Sequence, residues 1–451
     1  MQGTRILKER CEVVKKGLAC LVLLSLMVMT AACNSSPKQE SGSVNKSTET
    51  VKASPETTTT IKFMQYTASG AQEETLKGMI QKFEDQNPNI KIDLEIVDYA
   101  NYTTKLNTTI ASGTAPDVFE VGYENFMIYA SQNVLKDLSD TIASDKDFNA
   151  DQYKKLAYDA FKYNGKQMGI VESFSDVVLF YNKDLFDQKQ VAYPQDSWTW
   201  KDELAAAQKL TDAKMGIWGT YSPIQFYEFY KTIAQNGGGI FDADGKPTVN
   251  SPANVEALQW MIDKASKYKV SPPLNDDTFS QPDADVNAFK AGQIAMYRTG
   301  IWNMARFADA GFKWDIALEP GNTQKAHHFF ADGLVVSANT KVTDAAWKFL
   351  KFMSSDPYVV NTRIEKNWSI PAISDEKMLD TYFKQTPPES KKKIIEALDS
   401  LVLPPVGPKP EKWGELSTAV GEELDKARLG SSDVPTALGN AQKKLEAIMK
   451  E

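Results

Sequence analysis

Apolar and polar positions in residues 59–122 alternate between the two-residue period of strands and the 3.6-residue period of helices. In the first helical stretch Leu76, Met79, Ile80 and Phe83 recur at a spacing that places them on one face. Strand-like stretches precede and follow it, and a second helix-like stretch leads to a third strand. An order of strand, helix, strand, helix, strand predicts a parallel sheet of the α/β class.

The carboxyl ends of these predicted strands indicate where a ligand would bind. In parallel α/β sheets, ligands gather in the crevice beyond the carboxyl ends of the strands. Tyr66–Gly70 follow the first strand-like stretch, and Gly122–Asn125 follow the third. The sequence therefore predicts that these two segments lie at the mouth of a binding site.

A second α/β body is predicted after residue 172. It opens with the apolar stretch DVVLFYN and continues with amphipathic helices that begin near Trp200 and Asn254. A proline-rich loop precedes a further helix predicted from about Trp413 to Ala427. Because a chain of this length exceeds what one core usually serves, two lobes are expected.

The N-terminus has the pattern of a targeting signal. Basic residues precede an uncharged run from Gly17 to Met29, which is shorter than the roughly 18 apolar residues that span a bilayer. Thr30–Cys33 resembles a bacterial lipoprotein signal, although leucine is usual where Thr30 stands. The resemblance implies that residues 1–32 are removed and Cys33 is acylated; a single anchoring helix is the alternative. Residues 33–58, rich in Ser, Thr, Lys and Glu, are predicted to be a tether.

The net charge of the chain limits the classes of partner that it is expected to bind. Removing residues 1–32 takes away five of 51 basic and two of 59 acidic side chains, which changes the net charge from −8 to −11. An acidic surface argues against nucleic acid and anionic lipid as partners.

The sequence lacks the common catalytic and metal-binding motifs. It contains no Gly-x-Ser-x-Gly, no His-Glu-x-x-His and no phosphate-binding glycine-rich loop. Its only histidines, His327 and His328, are adjacent, so on a strand they would point to opposite faces and are predicted to be structural. Asp242 and Asp244 lie in a turn-rich segment without the further ligands of a calcium loop, which predicts a hairpin. No catalytic residue, cofactor or metal is predicted.

Aromatic residues are abundant, with 9 Trp, 17 Tyr and 21 Phe. Several lie where the chain should turn instead of on helical stripes. Aromatic faces are flat and apolar, and sugar rings offer a C–H face with a hydroxyl rim, so a sugar cleft combines aromatic side chains with polar ones. Core packing is the alternative for each tryptophan.

Five segments together resemble extracellular solute-binding proteins of family 1, which serve ABC importers and include the maltose-binding protein. They are GTAPDVFEVGYENF, FYNKDLF, SWTWKDEL, AFKAGQIAMYRTGIW and AAWKFLKFM, in family order. The resemblance implies two discontinuous α/β lobes with the ligand between them. The first lobe would comprise 59–171 and 336–365, and the second 172–335 and 366–451. Closure would be a hinge motion to which both lobes contribute contacts.

The resemblance also implies which residues bind ligand. Trp302, Trp413 and Tyr227 match ring-stacking positions, whereas Glu124, Asn125 and Asp332 match polar ones. The full predicted set is Tyr66, Ser69, Tyr123, Glu124, Asn125, Glu172, Phe174, Asp176, Tyr227, Trp302, Asp332, Trp368 and Trp413.

The function implied is capture of a sugar or oligosaccharide outside the membrane by a lipid-anchored, monomeric protein that delivers it to ABC permease subunits. Two alternatives stay open. One is an anchored carbohydrate-active enzyme, which would need a pair of carboxylates with split pKa values. The other is the same fold with a non-sugar solute.

Overall fold

The computed structural model describes residues 58–451 except 69, 71, 276–278, 280, 282, 374 and 375. The predicted signal, the tether, Cys33 and Ser69 therefore lie outside the described residues. Within the described part of the chain, no helix has both the length and the apolar character needed to cross a bilayer.

Thirteen strands are present in the described residues, numbered in chain order. They are β1 (Thr59–Gln65), β2 (Ile90–Ile96), β3 (Val118–Gly122), β4 (Lys162–Tyr163), β5 (Lys166–Gln167), β6 (Gly169–Ser175), β7 (Val177–Asn182), β8 (Met296–Gly300), β9 (Trp314–Ala317), β10 (His327–His328), β11 (Phe330–Val336), β12 (Ile370–Pro371) and β13 (Leu401–Val402).

The same residues form seventeen α-helices. They are α1 (Glu73–Gln86), α2 (Tyr99–Ala111), α3 (Tyr123–Ser131), α4 (Ser139–Ser144), α5 (Lys155–Asp159), α6 (Lys183–Lys189), α7 (Trp200–Leu210), α8 (Phe226–Gln235), α9 (Pro252–Ser266), α10 (Ala284–Lys290), α11 (Met304–Phe307), α12 (Thr343–Ser355), α13 (Pro357–Glu365), α14 (Glu376–Phe383), α15 (Lys392–Ala397), α16 (Trp413–Arg428) and α17 (Val434–Ile448).

The larger sheet has six strands in the order β12-β6-β11-β3-β1-β2. The predicted parallel pairing is confirmed for β1 with β2 and for β1 with β3. The sheet is nevertheless mixed, because β11 runs antiparallel to both β3 and β6. This strand returns from the second half of the chain, and local periodicity carries no information about such a distant partner.

Helix α1 covers the larger sheet with the face that the sequence predicts. Its buried residues are Leu76, Met79, Ile80 and Phe83. Phe83 also packs against Phe349 of α12, with ring centroids 5.0 Å apart, so a helix from the second half of the chain completes this layer. Phe349 also lies 5.0 Å from Phe63 of β1, so this core joins both helices to the sheet.

The smaller sheet has three antiparallel strands in the order β8-β7-β9. The helices predicted at Trp200, Asn254 and Trp413 are confirmed as α7, α9 and α16. Buried side chains of α8, α9, α16 and α17 form a core of their own.

The chain passes from the larger sheet to the smaller one at Asp176, the single residue between β6 and β7. This passage lies four residues beyond the lobe boundary implied at residue 172. On the way back, Phe329 alone separates β10 from β11, which rejoins the larger sheet. The exact lobe boundaries stay a prediction.

Candidate functional site

Three polar side chains converge at Gly122, where β3 ends. Asp332 of β11 lies directly opposite Gly122 in the register, and Glu124 follows two residues later in the first turn of α3. A Cβ atom on Gly122 would lie 3.4 Å from both carboxylate oxygens of Glu124 and 3.5 Å from the Tyr66 hydroxyl. Glu124, Asp332 and Tyr66, here called the Gly122 cluster, therefore meet at the predicted edge of the sheet.

Asp332 already has a hydrogen-bond donor, because the Tyr66 hydroxyl donates to its Oδ1. Burial raises the pKa of Asp332 to about 6, although the Tyr66 hydrogen bond and the charge of Arg363 oppose the rise. The Tyr66 backbone N–H donates to Glu120 Oε2 at 2.9 Å, which fixes the end of β1. Tyr66 and Asp332 thus form a preorganised pair.

Glu124 has a different environment within the same cluster. Its side chain is 6% exposed, and burial raises its pKa to about 7. Its charge acts on tyrosines of both halves of the molecule, Tyr99 of α2 and Tyr227 of α8. Glu124 therefore lies between a helix of the first half of the molecule, α2, and a helix of the second half, α8.

Behind the Gly122 cluster lies a buried ion pair. Arg363 of α13 pairs with Glu172 of β6, and the Trp368 ring lies 4.3 Å from the Arg363 guanidinium. Burial, and then the charge of Glu172, raises the pKa of Glu120 well above its usual value. Glu172 and Trp368 are 1% and 6% exposed, so both predicted ligand contacts lie beneath the surface of the site.

An aromatic row extends from the Gly122 cluster toward the smaller sheet. It consists of Tyr66, Tyr99, Tyr227, Phe330 and Trp302. The Tyr66 and Tyr99 centroids are 5.4 Å apart, and the Tyr99 and Tyr227 side chains lie close enough for each to influence the pKa of the other. Phe330 lies 6.1 Å from Tyr227 and 5.7 Å from Trp302. The row joins aromatic rings from both halves of the molecule.

Trp302, at the end of the aromatic row, is the most exposed of the tryptophans predicted to bind ligand. It follows β8 and is 47% exposed. Its ring lies directly over Gly300, where a Cβ atom would be 2.1 Å from it, so only glycine permits this approach. The backbone at Gly300 packs against the Trp302 ring, and the Phe330 ring lies roughly perpendicular to it. The remaining surface of the Trp302 ring is accessible to a ligand.

Several other residues predicted to bind ligand are buried in the cores or half-buried on α3. Trp413 is 3% exposed and meets the Phe226 ring edge-on at 5.4 Å. Phe174 is 2% exposed within the larger core, and Asp176 is fully buried at the passage between the sheets. Asn125 and Tyr123 are half-buried on α3. The structure brings only part of the predicted set together at one surface.

Two residues of the aromatic row were missed by sequence reasoning. Tyr99 follows Asp98, the N-cap residue of α2, and is 62% exposed. A tyrosine that directly follows an aspartate suited to cap a helix, just after a strand, was a signal detectable in the sequence. Phe330 gave no such signal, because its place depends on the return of β11 to the larger sheet.

One group of side chains in the described residues has the spacing of metal ligands, namely Glu228, Glu319 and His328. Lys231 pairs with both carboxylates there, at 2.7 Å from Glu228 and at shorter range from Glu319. Burial lowers the pKa of His328 to about 3, so its ring is neutral. A lysine ammonium already compensates these carboxylates, and the group is a buried ion network.

Two half-molecules of α/β structure, joined at Asp176 and by the return strand β11, define the two-lobe architecture of a solute-binding protein. The family model of bacterial extracellular solute-binding proteins matches residues 67–360, and the chain belongs to this family. The resemblance carried by the five sequence segments is thereby confirmed.

Individual relatives agree with this assignment. An ABC substrate-binding protein from Listeria monocytogenes, solved in complex with cycloalternan, is 46% identical and has a TM-score of 0.83, covering 87% of this chain and 99% of that chain. The arabinooligosaccharide-binding protein of Bacillus subtilis is 26% identical over 350 residues, 75% of this chain and 76% of the relative. A maltooligosaccharide ABC transporter solute-binding lipoprotein of Streptococcus pneumoniae is 26% identical over 283 residues, 61% and 64% of the two chains.

Proposed function

We propose that the protein captures an oligosaccharide between its two lobes, as a monomer, and delivers it to the permease subunits of an ABC importer. The observation that carries this proposal is the aromatic row beside the Gly122 cluster. Its rings supply flat apolar faces, and Glu124 and Asp332 supply acceptors for hydroxyl groups. Because the row includes residues from both lobes, a ligand bound along it would favour closure.

The relatives narrow the choice of first ligands. The Listeria protein was solved with cycloalternan, and the Bacillus relative is named for arabinooligosaccharides. A panel of cycloalternan, maltose, maltotriose and arabinooligosaccharides therefore tests the proposal.

We expect one class in this panel to raise the melting temperature of the full chain. A ligand at 100 times its Kd stabilises the folded state by about 2.7 kcal/mol through mass action. Differential scanning fluorimetry, with sorbitol as a polyol control, measures the shift. If no sugar in the panel exceeds the control at millimolar concentration, the sugar-binding proposal fails.

A carbohydrate-active enzyme is the second candidate, and the Gly122 cluster is the observation that favours it. Glu124 and Asp332 are two neighbouring carboxyl groups with pKa values raised to about 7 and about 6. We propose that the ligand nevertheless leaves unchanged, because the family consists of binding proteins. The stabilising sugar should show no new reducing ends after prolonged incubation, and turnover would establish the enzyme instead.

The proposal includes a lipid anchor at Cys33 on the extracytoplasmic face of the membrane. Its support is the N-terminal pattern and the relative that is named a lipoprotein. Cells grown with a labelled fatty acid should label the wild-type chain, and Cys33→Ala should abolish the label and release the protein from the membrane fraction. Cys20→Ala is the matched control, since it lies in the segment expected to be removed. Label that persists in Cys33→Ala would contradict the anchor.

A further inference from the structure

Glu124 is a largely buried residue whose carboxyl group lacks a donor side chain among the described residues. Its only hydrogen bond among the described residues comes from its own backbone N–H. It does not share the Tyr66 hydroxyl, which donates to Asp332. The residue is 6% exposed, so most of its surface is covered by protein. Such a group is ionised less readily than an exposed carboxyl, and a donor from a ligand would favour its charged form.

The titratable groups that interact most strongly with Glu124 supply no positive charge. They lie on α2, α3, α8 and β11, and they are Tyr99, Tyr123, Tyr227, Tyr230 and Asp332. Four are neutral phenols at ordinary pH, and the fifth is another carboxyl. Tyr66, directly after β1, adds a further phenol. The turn at residues 410–412 also packs against α3, but its Lys412 is paired with Glu415 and Glu451. Burial without a cation disfavours the ionised form, which is the main reason that the pKa of Glu124 is raised.

A bound sugar would change this balance. Sugar hydroxyls are donors, and a hydrogen bond to an ionised acceptor is roughly twice as strong as one between neutral groups. Donation from a hydroxyl therefore stabilises the carboxylate more than the carboxylic acid. Asp332 differs, because Tyr66 already satisfies its Oδ1 in the absence of ligand.

We propose that Glu124 couples sugar capture to the release of one proton. At acidic pH the empty protein holds it mainly as the neutral acid. When sugar binds, the acid proton passes to solvent buffer, and a sugar hydroxyl becomes the donor to the carboxylate. This inference rests on the proposed function and adds a specific role for one residue of the site.

The direction of the pH dependence follows. Below the pKa of the empty site, about 7, binding must expel a proton, so affinity falls as pH falls. The loss approaches tenfold per pH unit while the pKa of the bound form lies below the working pH. Above about pH 8 the empty site is already ionised, and affinity becomes independent of pH.

Titration calorimetry tests the coupling on the full chain with the tightest-binding sugar of the panel. Heats measured at pH 6 in two buffers of different ionisation enthalpy give the number of protons released. We expect wild type to release more than half a proton and Glu124→Gln to release close to none. Asp332→Asn should keep most of the release. Glu365→Gln, at the exposed C-terminal end of α13, is the matched control and should equal wild type.

The outcomes separate the two proposals. If no sugar binds, the proposed function fails. If sugar binds without proton release, or with proton uptake, only the coupling is overturned. Release that persists in Glu124→Gln but disappears in Asp332→Asn would assign the proton to Asp332 and overturn the role of Glu124. Melting curves of each variant without sugar show whether it is folded.

Discussion

Arg298→Met should lower the free energy of unfolding by about 3–5 kcal/mol, because it removes the arginine that is paired with the buried carboxylate of Glu203. Arg298 is 2% exposed on β8 and pairs with Glu203 of α7, which is fully buried. It also lies 3.5 Å from Glu319. Although burial opposes it, the charges of Arg298 and Lys264 hold the pKa of Glu203 below its usual value.

Urea unfolding at neutral pH measures this loss. Arg306→Met is the matched control, because Arg306 makes an exposed pair with Asp283 at 2.9 Å, and such pairs contribute about 0–1 kcal/mol. An Arg298→Met protein within about 1 kcal/mol of wild type would show that the network is not required for stability.

This buried ion network illustrates what sequence patterns leave undetermined. Glu203 and Arg298 are 95 residues apart, and nothing in their local sequence distinguishes them from surface charges. By contrast, the apolar periodicity of α1 and the strand pattern of β1 depend on neighbours in sequence, and both elements formed as predicted. The return of β11 is again non-local, which is why the mixed character of the sheet was not predicted.

The same distinction applies to the site. Glu124 and Asp332 could be placed near the sheet edge from strand ends and the family resemblance, and they do meet at Gly122. Glu172 has an equally plausible sequence position, yet Arg363, 191 residues away, binds it beneath the surface. A carboxylate in a strand gives no local sign of whether its partner will be a ligand or an arginine.

Truncation of Trp302 should lower sugar affinity, whereas truncation of Trp413 should lower the stability of the fold. Both were predicted from the sequence to be sugar-stacking rings. Trp302 is 47% exposed beside Phe330, whereas Trp413 is 3% exposed against Phe226. Truncating an accessible aromatic contact typically costs about 2 kcal/mol or more of binding, roughly thirtyfold in affinity. Truncating a core tryptophan costs about 3–5 kcal/mol of stability.

We therefore expect Trp302→Ala to lose sugar affinity with an almost unchanged apo melting temperature, and Trp413→Ala to melt far earlier. The measurements are apo melting by scanning calorimetry and sugar affinity by titration calorimetry on the same preparations. Trp302→Phe and Trp413→Phe are the controls: a stacking role predicts partial recovery of affinity at 302, and a packing role predicts partial recovery of stability at 413. Lost affinity in a stably folded Trp413→Ala protein would return Trp413 to the binding surface, because a ring that only packs the core cannot act on the ligand without weakening the fold.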